Sequence, residues 1–131
     1  MVDLNRYRKW FYAAAAYNAV WGTIVGLFPG LIFKWLGMPL PNYPSLMQAI
    51  GMIVGVYAIG YWLIGLNPQR YGPFVYIGLA GKILGPIGFA YSAMKGELPW
   101  SFGLVNVTND LIWLPSFIPF AWAVYKNERL N

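Results

Sequence analysis

Residues 46–66 read LMQAIGMIVGVYAIGYWLIGL, 21 residues without a single charge. A bilayer core takes about 20 residues of helix to cross, so the run fits a membrane span. The turn signal Asn67-Pro68 closes it.

Working outward, three further apolar runs appear at about 10–33, 74–94 and 102–125. Four spans fill the 131 residues and leave no room for a separate soluble domain. The composition agrees: 59% of the residues are hydrophobic and 10% charged, against about 25% charged in a soluble domain. The expectation is an all-α integral membrane four-helix bundle, a single transmembrane domain over residues 1–131. The first run is too long for a removed signal peptide and lacks its small-residue cleavage site.

The net charge of +5 is explained by sidedness and not by nucleic acid. Arg6, Arg8, Lys9, Arg70, Lys126 and Arg129 fall on one side of the four spans, and Lys34 and Lys95 on the other. By the positive-inside rule, both termini are cytoplasmic. The expected location is the inner membrane of a bacterium, multi-pass. Trp10, Trp62, Tyr71 and Trp122 near one boundary, and Trp35, Tyr43, Tyr91 and Trp100 near the other, read as interfacial anchors.

The chain has no cysteine and no histidine. Disulfides, thiol catalysis and iron–sulfur clusters are excluded, and the usual ligands for haem, zinc or copper are missing. No metal site and no cofactor are identifiable. No catalytic motif is recognisable, so a non-enzymatic role is expected.

Within the third run stands LAGKILGP, residues 79–86, with Lys82 in an apolar setting. Eight residues of helix separate it from Phe74, roughly 12 Å at helical rise. An intramembrane lysine costs about 2.5–3.5 kcal/mol on insertion scales, so a partner is expected. Asp110 is the acidic residue within the runs, and an antiparallel hairpin of the last two brings it to similar depth. A Lys82–Asp110 pair is therefore predicted.

Asn106, Asp110, Trp113 and Phe117 share one helical face by spacing, with Asn109 beside it. Asn18, Trp21 and Tyr57 reach comparable depth on the first two spans. Together these residues form a polar interior, either a staple fixing helix register or a ligand or ion site. Pro86 removes a hydrogen bond to the Lys82 carbonyl, and Pro115 and Pro119 bend the last span. Asn106-Val107-Thr108 matches a glycosylation sequon but lies inside a span.

Small residues four apart let helices approach closely in lipid. Gly22 and Gly26, Gly51 and Gly55, and Gly81 and Gly85 are the expected packing pairs. An offset of 59 residues aligns Gly22 with Gly81, Gly26 with Gly85 and Gly37 with Gly96, hinting at a duplicated two-helix unit.

The four-span layout, the Leu36-Gly37-Met38-Pro39 step and the Gly51/Gly55 face resemble the DoxX-like group of small bacterial membrane proteins. That resemblance implies a membrane partner or a quinone, since the group's namesakes are linked to quinone-coupled sulfur oxidation. Residues 81–89 and 108–113 resemble a smaller set of bacterial four-span proteins, some bearing peroxide-reductase names. Without cysteine, thiol peroxidase chemistry does not apply.

The sequence thus leads to an accessory subunit, or a binding module for a lipid, quinone or similar hydrophobic ligand beside a larger membrane complex. The alternative is a homo-oligomeric transporter of a small solute, or a proton-coupled one, using Lys82 and Asp110.

Overall fold

A computed structural model describes residues 1–131, which fold into helices joined by turns, with no strand. A 3-10 turn, Leu4–Tyr7, leads into α1 (Arg8–Leu27), followed by the short α2 (Leu31–Trp35) and by α3 (Pro44–Leu66). A one-turn α4 (Pro68–Tyr71) then precedes α5 (Phe74–Met94). The last segment is broken: a 3-10 turn Trp100–Phe102, α6 (Gly103–Asn109), a second 3-10 turn Leu111–Trp113, and α7 (Leu114–Arg129).

The breaks have local causes. Pro29 has no N–H and pushes the preceding residue out of the helical region, and Phe28 sits at φ −131°, ψ 70° where α1 ends. The expected run 10–33 is therefore α1 plus α2. Both α2 and α5 close on a left-handed glycine, Gly37 at φ 67° and Gly96 at φ 77°. The Met38 N–H reaches the Phe33 carbonyl at 2.8 Å, and the Glu97 N–H reaches that of Ser92 at 3.0 Å. Both are Schellman caps, which need a residue that tolerates positive φ. They also obey the offset of 59, bond for bond.

Two helices, α3 and α5, are long and apolar enough to cross a membrane, with mean hydropathies of 1.9 and 1.4. The other two runs do not give such helices. α1 is long enough at 20 residues but less apolar, diluted by Asn18 and by its tyrosines, tryptophans and glycines, and the last run is divided at Asp110.

α1 and α3 pack along their whole length. Their backbones meet at Gly22, where an added Cβ would lie 2.6 Å from the Gly51 carbonyl oxygen and 2.9 Å from the Gly55 Cα. On the opposite helix, a Cβ on Gly51 would lie 2.9 Å from the Gly26 nitrogen. The close contacts are thus made at the Cα faces of Gly22 and Gly51, while an added Cβ on Gly26 or Gly55 would meet nothing within 4 Å.

The core fills the end of the bundle that holds both termini. Phe11, fully buried, stacks on Phe117 at a centroid distance of 4.6 Å and meets Phe120 at a tilt, at 4.5 Å. Tyr61, Ile64 and Val75 complete it. Asn127 ties the two termini by a pair of 2.9 Å hydrogen bonds to the backbone of Val2. Arg8 Nε donates to the Gly65 carbonyl at 2.6 Å and so caps the exposed end of α3.

Candidate functional site

Above this core the helices part and leave a cavity of about 240 Å³. Its wall takes Asn18 from α1, Val54, Tyr57 and Tyr61 from α3, Gly78 and Lys82 from α5, and Asn109 with Asp110 at the break after α6. Seven of the eight residues expected in the polar interior gather here or directly behind it. Trp113 backs Lys82, while Asn106 stands next to the Asp110 carboxylate, behind Gly85. Trp21 is not part of the wall.

Lys82 is 4% exposed, and its ammonium donates to the backbone carbonyl of Asn109 at 2.6 Å. Three rings enclose it: Phe117 at 5.3 Å, Tyr61 at 5.4 Å and Trp113 at 5.9 Å from nitrogen to centroid. The ring faces carry negative charge density, so they stabilise the buried cation.

The predicted Lys82–Asp110 ion pair is not formed. The chain's one ion pair is Lys95–Glu97, at 2.9 Å. The reason is the broken helix. In an unbroken helix the Asn109 carbonyl would accept from the N–H of Trp113. That N–H instead reaches the Asp110 carbonyl, at 3.2 Å, as Asp110 swings to φ −124°, ψ −60°. The released Asn109 carbonyl is the acceptor that Lys82 takes.

Asp110 explains the break in turn. By the offset of 59, Asp110 occupies the position that Gly51 holds in the first hairpin, and Gly85 that of Gly26. The Gly26–Gly51 contact is backbone on backbone and leaves no room for a side chain. In the second hairpin, the Asp110 carboxylate lies against Gly85, with Oδ2 2.6 Å from where a Cβ would stand. A carboxylate at a close helix crossing forces the helices apart and the turn open. So Gly85 receives a side chain and not a helix backbone, and Gly81 meets nothing within 4 Å. The packing role expected of that pair is not fulfilled within the chain.

The site's other bonds hold its frame. Tyr17 hydrogen-bonds the Asn109 side-chain oxygen and, at 2.9 Å, Thr108 Oγ1. Trp113 Nε1 donates to the Thr108 carbonyl at 2.9 Å. Asn18 Nδ2 donates to the Val54 carbonyl at 3.2 Å. Left with unused capacity toward the cavity are the Asp110 carboxylate, the Asn18 side-chain oxygen and the hydroxyls of Tyr57 and Tyr61. Tyr17 and Tyr61 were not singled out from sequence. Tyr61 stands one helical turn beyond Tyr57, and Tyr17 adjoins Asn18, so spacing alone offered the hint.

The mouth of the cavity lies between α3 and α5. Ile53, 59% exposed, and the exposed Gly81 form its lips. No group of three or more acidic, histidine or cysteine side chains converges to hold a metal. Compared with protein-family models, with curated proteins and with solved structures, the chain matches none.

Proposed function

We propose that the chain is a four-span membrane bundle that binds the head of a hydrophobic ligand in the Lys82–Asp110 cavity. The observation that carries this reading is a cationic and an anionic side chain facing one small cavity without pairing. A staple would bring them into contact, since the attraction of opposite charges grows as they approach. Groups held apart with free hydrogen-bonding capacity are arranged for a third party.

The membrane setting is supported by where the apolar surface lies. In the most apolar stretches of α3 and α5, 33% and 17% of the residues are buried within the chain. A core helix of a soluble protein would be mostly covered. Here Leu46, Ile50, Ile53, Val56, Ile59 and Trp62 of α3 all face outward. Lipid is the solvent that suits such a face. The divided last segment adds to this reading, since its irregular backbone faces the cavity or the buried Lys82, which is where a bilayer tolerates it.

The layout is the one implied by the DoxX-like resemblance, and a lipid, a quinone or a similar molecule belongs to the class proposed. A place beside a larger membrane complex belongs to the same reading. A second reading, an oligomeric transporter, draws on the helix break at Asp110, since discontinuous helices line the binding sites of many carriers.

Native mass spectrometry after gentle extraction from the source membrane separates these. A monomer or dimer with a small bound mass supports the binding module, and added subunits support the accessory role. A homo-oligomer that moves solute in liposomes, and stops on Asp110→Asn, supports the carrier.

A further inference from the structure

The donors and acceptors around the cavity restrict what its ligand is. We infer that the site selects an amphiphile with an uncharged, hydroxyl-bearing head, whose tail leaves between α3 and α5. This rests on the binding-module reading and goes further by naming the chemistry of the head.

The capacity of each group decides the matter. Lys82 has only donors, and one of its three hydrogens is committed to the Asn109 carbonyl. The Asp110 carboxylate has only acceptors, and no donor of the chain reaches it. The Asn18 side-chain oxygen is a further free acceptor, since its Nδ2 is the atom engaged with Val54. A head that only accepts, such as a ketone, an ether or an ester, would satisfy Lys82 and leave the half-buried Asp110 carboxylate facing the ligand without a donor. A carboxylate head would face Asp110 with like charge, and an ammonium head would face Lys82. A hydroxyl donates to Asp110 while accepting from Lys82 or a tyrosine hydroxyl, and adds no charge to a site already balanced.

Size and access set the rest. A cavity of about 240 Å³ is smaller than the pockets that enclose whole drug-sized molecules, about 300–1,000 Å³. It takes a head group of one ring or a short polyol, not a chain. The mouth at Ile53 and Gly81 faces sideways along the apolar flanks of α3 and α5. The tail would run out there, alongside Ile77 and Leu84, both exposed on α5.

Four probes with matched ten-carbon tails test this on the full chain in lipid nanodiscs: 4-decylphenol, 4-decylanisole, decylamine and undecanoate. Phenol and anisole differ by one methyl group on the head oxygen, which removes the donor. The expected result is that the phenol binds at least about tenfold tighter than the anisole, as sites built around a substrate hydroxyl discriminate. The isosteric Asp110→Asn should erase most of that preference while the helicity stays unchanged. Equal binding of phenol and anisole, or tightest binding of the amine or the acid, overturns the head-group assignment alone. In that case Gly81→Phe, which fills the mouth where nothing stands within 4 Å, should still reduce binding of every probe. If no probe binds, or if Gly81→Phe leaves binding untouched, the cavity is not the site and the binding-module reading falls with it. Should Gly81→Phe not fold, Ile53→Trp narrows the same mouth from the facing helix.

Discussion

The ammonium of Lys82 closes on the backbone carbonyl of Asn109 at 2.6 Å and leaves the neighbouring Asp110 carboxylate without a chain donor. A main-chain oxygen, released by a broken helix, does the work that an ion pair was expected to do. The difference has measurable consequences.

Were the two charges paired, removing either would strand the other, at a cost of about 3–5 kcal/mol. The observed geometry makes the two substitutions unequal. Lys82→Met removes the donor of the Asn109 carbonyl and should destabilise the fold by about 1–3 kcal/mol, the cost of a buried unsatisfied group. Asp110→Asn breaks no bond of the chain and should cost little. A double-mutant cycle on unfolding in micelles should give a Lys82–Asp110 coupling of about 1 kcal/mol, the attraction of two unpaired charges across one cavity. A coupling of several kcal/mol would mean that the pair is direct after all.

The glycines divide into two groups that sequence spacing does not separate. Gly22→Ala and Gly51→Ala each drive a methyl group into the facing backbone, at 2.6 and 2.9 Å. Overpacking of this kind costs about 1–3 kcal/mol, and backbone atoms cannot step aside as side chains do. Gly26→Ala and Gly55→Ala enter open space and should be neutral or stabilising by up to about 1 kcal/mol through helix propensity. Thermal melting of the four variants reads the contrast directly.

Gly85→Ala touches the site and not the helix packing. Its methyl group would stand 2.6 Å from Asp110 Oδ2 and must displace the carboxylate. The expected outcome is a stability close to that of the parent, with weaker binding of 4-decylphenol and a smaller preference over 4-decylanisole. A variant that melts far below the parent while keeping its preference would assign Gly85 to packing instead.

How far these arrangements were legible in the sequence depends on the range of the interaction. The helical class follows from apolar runs alone, and the Gly22–Gly51 crossing from residues four apart on two such runs. The Gly37 and Gly96 caps were visible as a repeated loop because the demand for positive φ is local. The gathering of Asn18, Tyr57, Lys82 and Asp110 followed from depth counting. The partner of Lys82 did not, because the backbone is invisible to an inventory of side chains. Reading the last run as one helix hid its carbonyls from consideration. The signal was nonetheless present: the offset of 59 sets Asp110 against Gly51, the position where the first hairpin tolerates no side chain.

The four-span layout itself can be tested with labels, because the chain has no cysteine to interfere. Single substitutions at exposed positions in the three connections, Asn42→Cys, Gln69→Cys and Glu97→Cys, disturb no hydrogen bond or buried contact of the fold, apart from the surface pair of Glu97 with Lys95. With both termini on the cytoplasmic side, a membrane-impermeant maleimide added to intact spheroplasts should modify Asn42→Cys and Glu97→Cys. Gln69→Cys should react only after the membrane is opened. The expected sidedness rests on Arg70, Lys126 and the basic leader before α1, which the positive-inside rule would keep on one side with the Gln69 loop and both termini. Labelling of all three from outside would place the chain on the membrane surface, with α3 and α5 lying along it. Labelling of Gln69→Cys alone would reverse the orientation while keeping the four spans.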